Sequence, residues 1–232
     1  MDRPGRHRWR RHARARLGGG AVDLRICVPL GALFGKSLDV MAAVGLPVGP
    51  LRDAGRRLIV EVPDGPTYIT TRPSDVPTYV ESGAADLGIV GRDVLLERQP
   101  DVYELADLGF GGCRMSWCTP EGDDPTAEAI ERFGVVRVAT KYVKCAERFF
   151  EETGRKADIV KVNGSVELAP LVGLSDGIVD LVATGRTLRE NGLVEREEIF
   201  ASTARLIANR VSHKIQAPLM DDLVRRFEDA RP

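Results

Sequence analysis

Gly177-Ile178-Val179-Asp180-Leu181-Val182-Ala183-Thr184-Gly185-Arg186-Thr187-Leu188 is the stretch on which the fold and the chemistry of this chain turn. Residues 177–182 form an apolar run with a single acid in it, which predicts a buried strand. Small residues follow at 183–185, and a helical turn is predicted over 187–191. Ala183, Thr184 and Gly185 have little side chain to obstruct an approaching anion. Successive backbone N–H groups in such a turn, with the positive end of the next helix, form a cradle for phosphate. The hydroxyls of Thr184 and Thr187 and the guanidinium of Arg186 add donors. The same residues also suit an ordinary strand-to-helix connection.

Three acids lie upstream of that turn: Glu167, Asp176 and Asp180. Carboxylates beside a phosphate repel it unless they serve another group. Ribose hydroxyls, or a Mg²⁺ riding on phosphate oxygens, are natural targets. Solvated helix-end charge is the plainer alternative for any one of them.

Outward from this segment the pattern alternates strand and helix. Strands are predicted at 24–28, 58–62, 68–71, 86–90, 102–108, 113–118, 135–139, 159–162 and 177–182, with a long β-rich stretch at 199–209. Helices are predicted near 33–42, 74–82 with Ser74 as N-cap, 125–133, 142–152, 166–171 and 218–230. Such alternation implies α/β layers with mainly parallel sheets. The glycines at 109, 111 and 112 divide two units, predicted as 23–110 plus 205–232 and 111–204, with two chain crossings. Two such lobes make a hinge-type binding architecture.

The 232 residues are 43% hydrophobic and 29% charged, a globular composition with no apolar run near the length of a bilayer span. Residues 1–20 hold seven Arg and one Asp, so the other 212 residues carry −7 of the chain's net −1. An acidic body argues against a nucleic-acid binder. The basic segment over 1–22 reads as a disordered extension, since glycines rather than an apolar stretch follow its arginines. Cys27, Cys113, Cys118 and Cys145 form no C-x-x-C pair, and the three histidines form no cluster, so a structural zinc site is not expected. Three of the cysteines lie in or beside apolar stretches, which suits reduced, buried thiols in a cytoplasmic protein.

The first half supplies Arg56, Arg57 and Arg72, cations of the kind a pyrophosphate leaving group needs, although at least one reads as a surface arginine. Residues 86–93 put glycines and an acid, Asp93, at a strand end, where ligands of α/β sheets gather.

Taken together, these residues resemble the ATP phosphoribosyltransferase family over 24–214. The blocks that carry the resemblance are RPSDVPTYVESGAADLGIVGRDVLLE (72–97), DLGFGGCR (107–114), RVATKYV (137–143), VNGSVELAPLVGLSDGIVDLVATGRTLRENGLVE (162–195) and STARLIANR (202–210). The resemblance implies a two-lobe, type II periplasmic-binding-protein-like fold with the active site between the lobes. It implies transfer of the phosphoribosyl group of phosphoribosyl pyrophosphate (PRPP) to N1 of ATP, the first step of histidine biosynthesis. By position, Asp180, Ala183, Thr184, Gly185, Arg186 and Thr187 match the PRPP loop. Glu167 and Asp180 match acids near the ribose, Arg56 and Arg72 match arginines that meet phosphates, and Asp93 and Tyr142 fall in the ATP-binding part. The resemblance also implies Mg²⁺ held mainly by substrate phosphates, with no protein metal site. It is closest to the short form, which works as a homodimer within a hetero-oligomer alongside a histidyl-tRNA-synthetase-like regulatory subunit.

Two departures stand out. The family's first strand often ends in Pro-Lys-Gly-Arg, whereas here Pro29-Leu30-Gly31-Ala32 lacks both cations and Lys36 is the substitute at hand. After Tyr142 the family often has Pro-Asn, and here Val143-Lys144 follows. Neither touches the PRPP loop, so activity is expected to survive. The competing class is a two-lobe solute-binding protein without catalysis, which calls for an export signal or lipid anchor that these residues do not show.

Overall fold

The computed structural model describes residues 15–16, 21–22 and 24–231. The short strands β1 (Ala15–Arg16) and β2 (Ala21–Val22) pair antiparallel. The rest of the basic extension expected over 1–22 lies outside the described residues. Next come β3 (Arg25–Pro29), α1 (Phe34–Ala43), α2 (Gly49–Arg52), β4 (Ile59–Glu61) and β5 (Thr67–Thr71). A 3₁₀ turn (Pro73–Asp75) opens α3 (Val76–Glu81), followed by β6 (Leu87–Gly91), α4 (Arg92–Arg98) and β7 (Tyr103–Asp107). Then follow β8 (Cys113–Pro120), α5 (Pro125–Phe133), β9 (Val136–Thr140), α6 (Val143–Glu152) and β10 (Ala157–Lys161). The chain ends with α7 (Leu168–Leu171), β11 (Gly177–Val182), α8 (Arg186–Glu190), β12 (Leu193–Ser202), β13 (Ala204–Ala208), α9 (Arg210–Ile215) and α10 (Ala217–Asp229).

These elements form two units. The first holds the described residues up to Gly91, then Pro100–Gly111 and the chain from Ala204 on. The second holds Arg92–Gln99 and Gly112–Thr203. The chain therefore changes unit four times rather than the expected two. Residues 92–99, predicted in the first unit, group with the second because α4 packs on α6.

In the first unit a six-stranded sheet runs β4-β5-β3-β6-β13-β7. β5, β3 and β6 are parallel, while β4, β13 and β7 are antiparallel to their neighbours. β6 is buried along its whole length, as an unbroken apolar run predicts for a strand covered on both faces. A Cβ at Gly88 would lie 2.7 Å from a Val80 methyl and 2.8 Å from a Val76 methyl, so glycine lets α3 sit directly on the strand. Leu24, Ile26, Met41, Tyr68, Ile89, Leu206 and Phe227 fill this core. Each contributes about 1.5–3 kcal/mol by leaving water.

In the second unit a five-stranded sheet runs β10-β9-β11-β8-β12. β10, β9 and β11 are parallel, and β8 and β12 are antiparallel. The sheets are thus mixed, not mainly parallel as predicted. The returning strands β12 and β13 run against the neighbours they join. Trp117 and Phe150 meet edge to face at 5.2 Å in the core of this unit. Gly177 is required beneath them, since a Cβ there would come within 2.3 Å of the Trp117 ring. Asp124 caps α5 by accepting from the Thr126 amide at 2.9 Å, and Gly134 ends that helix at φ +75°.

Ser74 is not the predicted N-cap. It lies inside the 3₁₀ turn, and its hydroxyl bonds Asp75 at 3.2 Å. The predicted β-rich stretch at 199–209 is two strands, the first starting at Leu193.

Candidate active site

β11 delivers Asp180 and then the turn at 183–185. Gly185 sits at φ +70°, the left-handed region that glycine reaches without strain, and it starts α8. Ala183, Thr184, Arg186 and Thr187 are exposed. The amides of Ala183, Thr184 and Gly185 donate to nothing among the described residues. The Arg186 amide makes only a long contact of 3.4 Å to the Thr184 hydroxyl oxygen. The turn thus presents open N–H groups and two uncommitted hydroxyl donors. One predicted donor is spent: the Arg186 guanidinium pairs with Glu190 one turn along, at 2.7 Å.

Two residues that support this turn escaped the sequence reading. Arg114 on β8 forks onto both oxygens of Glu195 on β12, at 2.5 and 2.6 Å. Its remaining nitrogen donates to the Ala183 carbonyl at 3.4 Å, and Ser116 adds a hydroxyl bond to Glu195 at 3.2 Å. The hydrogen bond from Arg114 holds the Glu195 carboxyl below its ordinary pKa. Arg114 closes the DLGFGGCR block, but its partner lies 81 residues on, a separation no local pattern encodes.

Asp180 is the half-hidden acid of the site, with its side chain 18% exposed. Its Oδ1 is buried and accepts no hydrogen bond. Burial pushes its carboxyl above the ordinary carboxylate pKa, and Lys141 pulls it back. Glu167 stands at the start of α7, half-buried and without a capping bond, and raises the Asp180 pKa further.

Asp93 and Tyr142 come together. The buried Asp93 carboxylate accepts from the Tyr142 hydroxyl at 3.3 Å and from the Ser202 hydroxyl at 3.0 Å. The Asp93 amide donates back to the Ser202 oxygen at 3.0 Å. Burial first, and Asp93 second, raise the Tyr142 pKa far above its usual value, so the phenol stays a donor. One turn further along α4, Glu97 accepts from the Lys144 and Cys145 amides at 3.3 and 3.1 Å and caps α6.

In the first unit, Arg56 and Arg72 are exposed, and their side chains pair with nothing among the described residues. Arg57 is spent locally on the Ala54 and Asp53 carbonyls. Lys36, on α1, is likewise exposed and unpaired among the described residues. No group of three or more His, Cys, Asp or Glu that could hold a metal occurs among the described residues.

The family profile described as HisG: ATP phosphoribosyltransferase matches residues 72–229. The chain belongs to the ATP phosphoribosyltransferase family. The ATP phosphoribosyltransferase of Rubrobacter xylanophilus is 56% identical over 194 residues, which are 83% of this chain and 89% of that protein. Among solved structures, the ATP phosphoribosyl transferase (HisG:HisZ) complex from Thermotoga maritima matches with a TM-score of 0.75 at 32% identity, over 89% of this chain and 98% of that one. The periplasmic aliphatic sulphonate binding protein SsuA from Escherichia coli matches with a TM-score of 0.57 at 12% identity, over 90% of this chain and 72% of that one. That likeness speaks to fold alone. The chain has the two-lobe α/β fold of the periplasmic-binding-protein, type II kind.

Of the residues that the resemblance to the ATP phosphoribosyltransferase family marked, Glu167, Asp180, the 183–187 turn, Asp93 and Tyr142 all lie in the second unit, and Arg56 and Arg72 lie in the first. Cys118 is buried beneath the site, and burial pushes its thiol up to about 12. It is a packing residue and not a nucleophile. No helix among the described residues is long and apolar enough to cross a membrane.

Proposed function

We propose that this chain transfers the 5-phosphoribosyl group of PRPP to N1 of ATP, giving N1-(5-phosphoribosyl)-ATP and pyrophosphate, the first step of histidine biosynthesis. The observation that carries the reading is the exposed 183–187 turn with its unspent donors, three residues beyond the half-buried Asp180. The open amides and the hydroxyls of Thr184 and Thr187 take the 5′-phosphate. Each charge-assisted bond adds about 1.5–3 kcal/mol.

Adenine N1 brings its own lone pair, so no general base is needed. The N1–C1 bond forms as the bond from C1 to pyrophosphate breaks, with inversion at C1. The ribose becomes oxocarbenium-like, and the carboxylates of Asp180 and Glu167 orient its hydroxyls and favour that charge. Arg56 and Arg72, exposed and without a side-chain partner among the described residues, meet the phosphates. Mg²⁺ would be held mainly by the substrate phosphates, whose charge it would neutralise, in keeping with its preference for phosphate oxygens and water over a dedicated protein cage. Tyr142 borders the adenine nucleotide, and Asp93 acts by holding Tyr142. Holding the two substrates in line supplies much of the rate enhancement.

The Thermotoga maritima relative is a HisG:HisZ complex, which supports a regulatory partner of the histidyl-tRNA-synthetase-like kind for this chain as well. We infer a homodimer within that hetero-oligomer, acting in the cytoplasm. The test is a spectrophotometric assay of the purified chain with ATP, PRPP and Mg²⁺, with and without such a partner. Product formation is expected. Absence of product under both conditions overturns the reading and favours a binding protein or an assembly subunit.

A further inference from the structure

We propose that Lys141 is a positioning residue for the phosphoribosyl donor, acting through its ion pair with the Asp180 carboxylate. The inference rests on the assignment of Asp180 to that site.

The backbone puts the two residues side by side. β9 and β11 are parallel neighbours, with Thr140 opposite Val179. The Thr140 hydroxyl donates to the Val179 carbonyl at 2.6 Å and accepts from the Tyr142 amide at 2.9 Å. This clamp fixes the residue between, Lys141, at the level of Asp180. The ammonium lies 4.0 Å from Asp180 Oδ1 and 4.8 Å from the centre of the Tyr142 ring. Lys141 makes no hydrogen bond among the described residues, and its side chain is 46% exposed. Asp180 Oδ1, by contrast, is buried and accepts no hydrogen bond.

The other groups around Asp180 do not substitute for this cation. Glu167 and Asp93 are acids and act against its charge. Tyr142 donates to Asp93. Across β8, Ser116 stands opposite Asp180 but gives its hydroxyl to Glu195, and Arg114 is forked onto Glu195 as well. Cys118 is a buried thiol that Asp180 helps keep protonated. The Leu181 amide also favours the charged carboxylate, so Lys141 is the cationic and larger of the two groups that offset the burial of Asp180.

Burial raises the Asp180 pKa and Lys141 lowers it, so losing the ammonium raises it further. The carboxylate population then falls at acidic pH and recovers at alkaline pH.

The test uses the full chain with Lys141→Met and Lys141→Arg. Two quantities are measured: the KM for PRPP across pH, and the ¹³C carboxyl titration of Asp180, assigned by its disappearance in Asp180→Asn. For Lys141→Met, the Asp180 midpoint moves to higher pH. The KM for PRPP rises about tenfold at acidic pH, with recovery on the alkaline side, while kcat at saturation changes less. Lys141→Arg keeps both profiles near those of the parent. A KM that rises equally at all pH values means that Lys141 touches the donor's phosphates directly, and it overturns the proposal. So does an unmoved Asp180 midpoint. If Asp180→Asn leaves the KM for PRPP unchanged, the site assignment itself fails and the proposal with it. The carboxyl titration tells the two failures apart, because it reads the pair without substrate.

Discussion

Two strand-to-helix turns in this molecule follow the same local grammar and end in opposite states. At the start of α4, the chain leaves an apolar strand through Gly91 and enters a helix with Asp93 in its first turn. At the start of α8, it leaves β11 through residues 183–185 and enters a helix at Arg186. In the first turn the polar groups are consumed: Asp93 is 7% exposed and takes hydroxyl bonds from Tyr142 and Ser202. In the second they are open to solvent: the amides of 183–185 and the Thr187 hydroxyl have no partner among the described residues, and the Thr184 hydroxyl only accepts a long 3.4 Å contact from the Arg186 amide. A small-residue turn at a strand end is therefore not yet a ligand site. It keeps donors for a ligand only when they are left unspent at the surface, and it becomes a brace when the fold spends them.

The comparison predicts that damage to the two turns separates into binding and stability. Thr184→Ala with Thr187→Ala should raise the KM for PRPP by about a hundredfold or more, from two charge-assisted bonds of about 1.5–3 kcal/mol each. Thermal stability should hold, because both side chains are exposed. Normal PRPP affinity in that double variant, measured by calorimetry, would break the phosphate assignment of the turn. Asp93→Ala should do the reverse. It leaves the Ser202 and Tyr142 hydroxyls without their acceptor in a buried place, at a cost of about 2–3 kcal/mol in denaturant unfolding. Tyr142→Phe removes one donor from the same cluster and should cost about 1 kcal/mol by the same measurement.

The two turns also mark how far the sequence could be read. The open turn was legible because its features lie in consecutive residues: small side chains, hydroxyls, and an acid three residues upstream. The brace was legible only in part. Asp93 and Tyr142 could be marked, but Ser202 completes their cluster from 109 residues away. Arg114 and Glu195 were missed for the same reason. Their strands are antiparallel partners, and Glu195 sits in a charged run, Glu195-Arg196-Glu197-Glu198, that does not look like a strand. There the alternation is read against β8 through register shifts at Glu195/Glu197 and Glu198/Phe200, which scramble the period of two. The helices and the parallel cores were easier, since Asp124 and Gly134 frame α5 in the places its capping requires. The buried cysteines also behave as expected: Cys27 and Cys145 are free and buried, and burial pushes both thiols up to about 12.

Arg186 lies within the open turn, yet its guanidinium is already engaged by Glu190 in an exposed pair, with side-chain exposures of 78% and 58%. Exposed pairs of this spacing contribute about 0.3–0.5 kcal/mol, so Arg186→Ala should leave unfolding within about 0.5 kcal/mol of the parent. If the turn holds phosphate through its backbone and its threonines, the same variant should change the KM for PRPP by less than about fivefold, since its amide survives the substitution. A loss as large as that of the threonine double variant would mean that the guanidinium leaves Glu190 when the donor binds. Glu190→Gln decides that case. It releases Arg186 from its partner, so it should tighten PRPP binding if the guanidinium swings to the phosphate, and it should leave binding unchanged if the amides do the work.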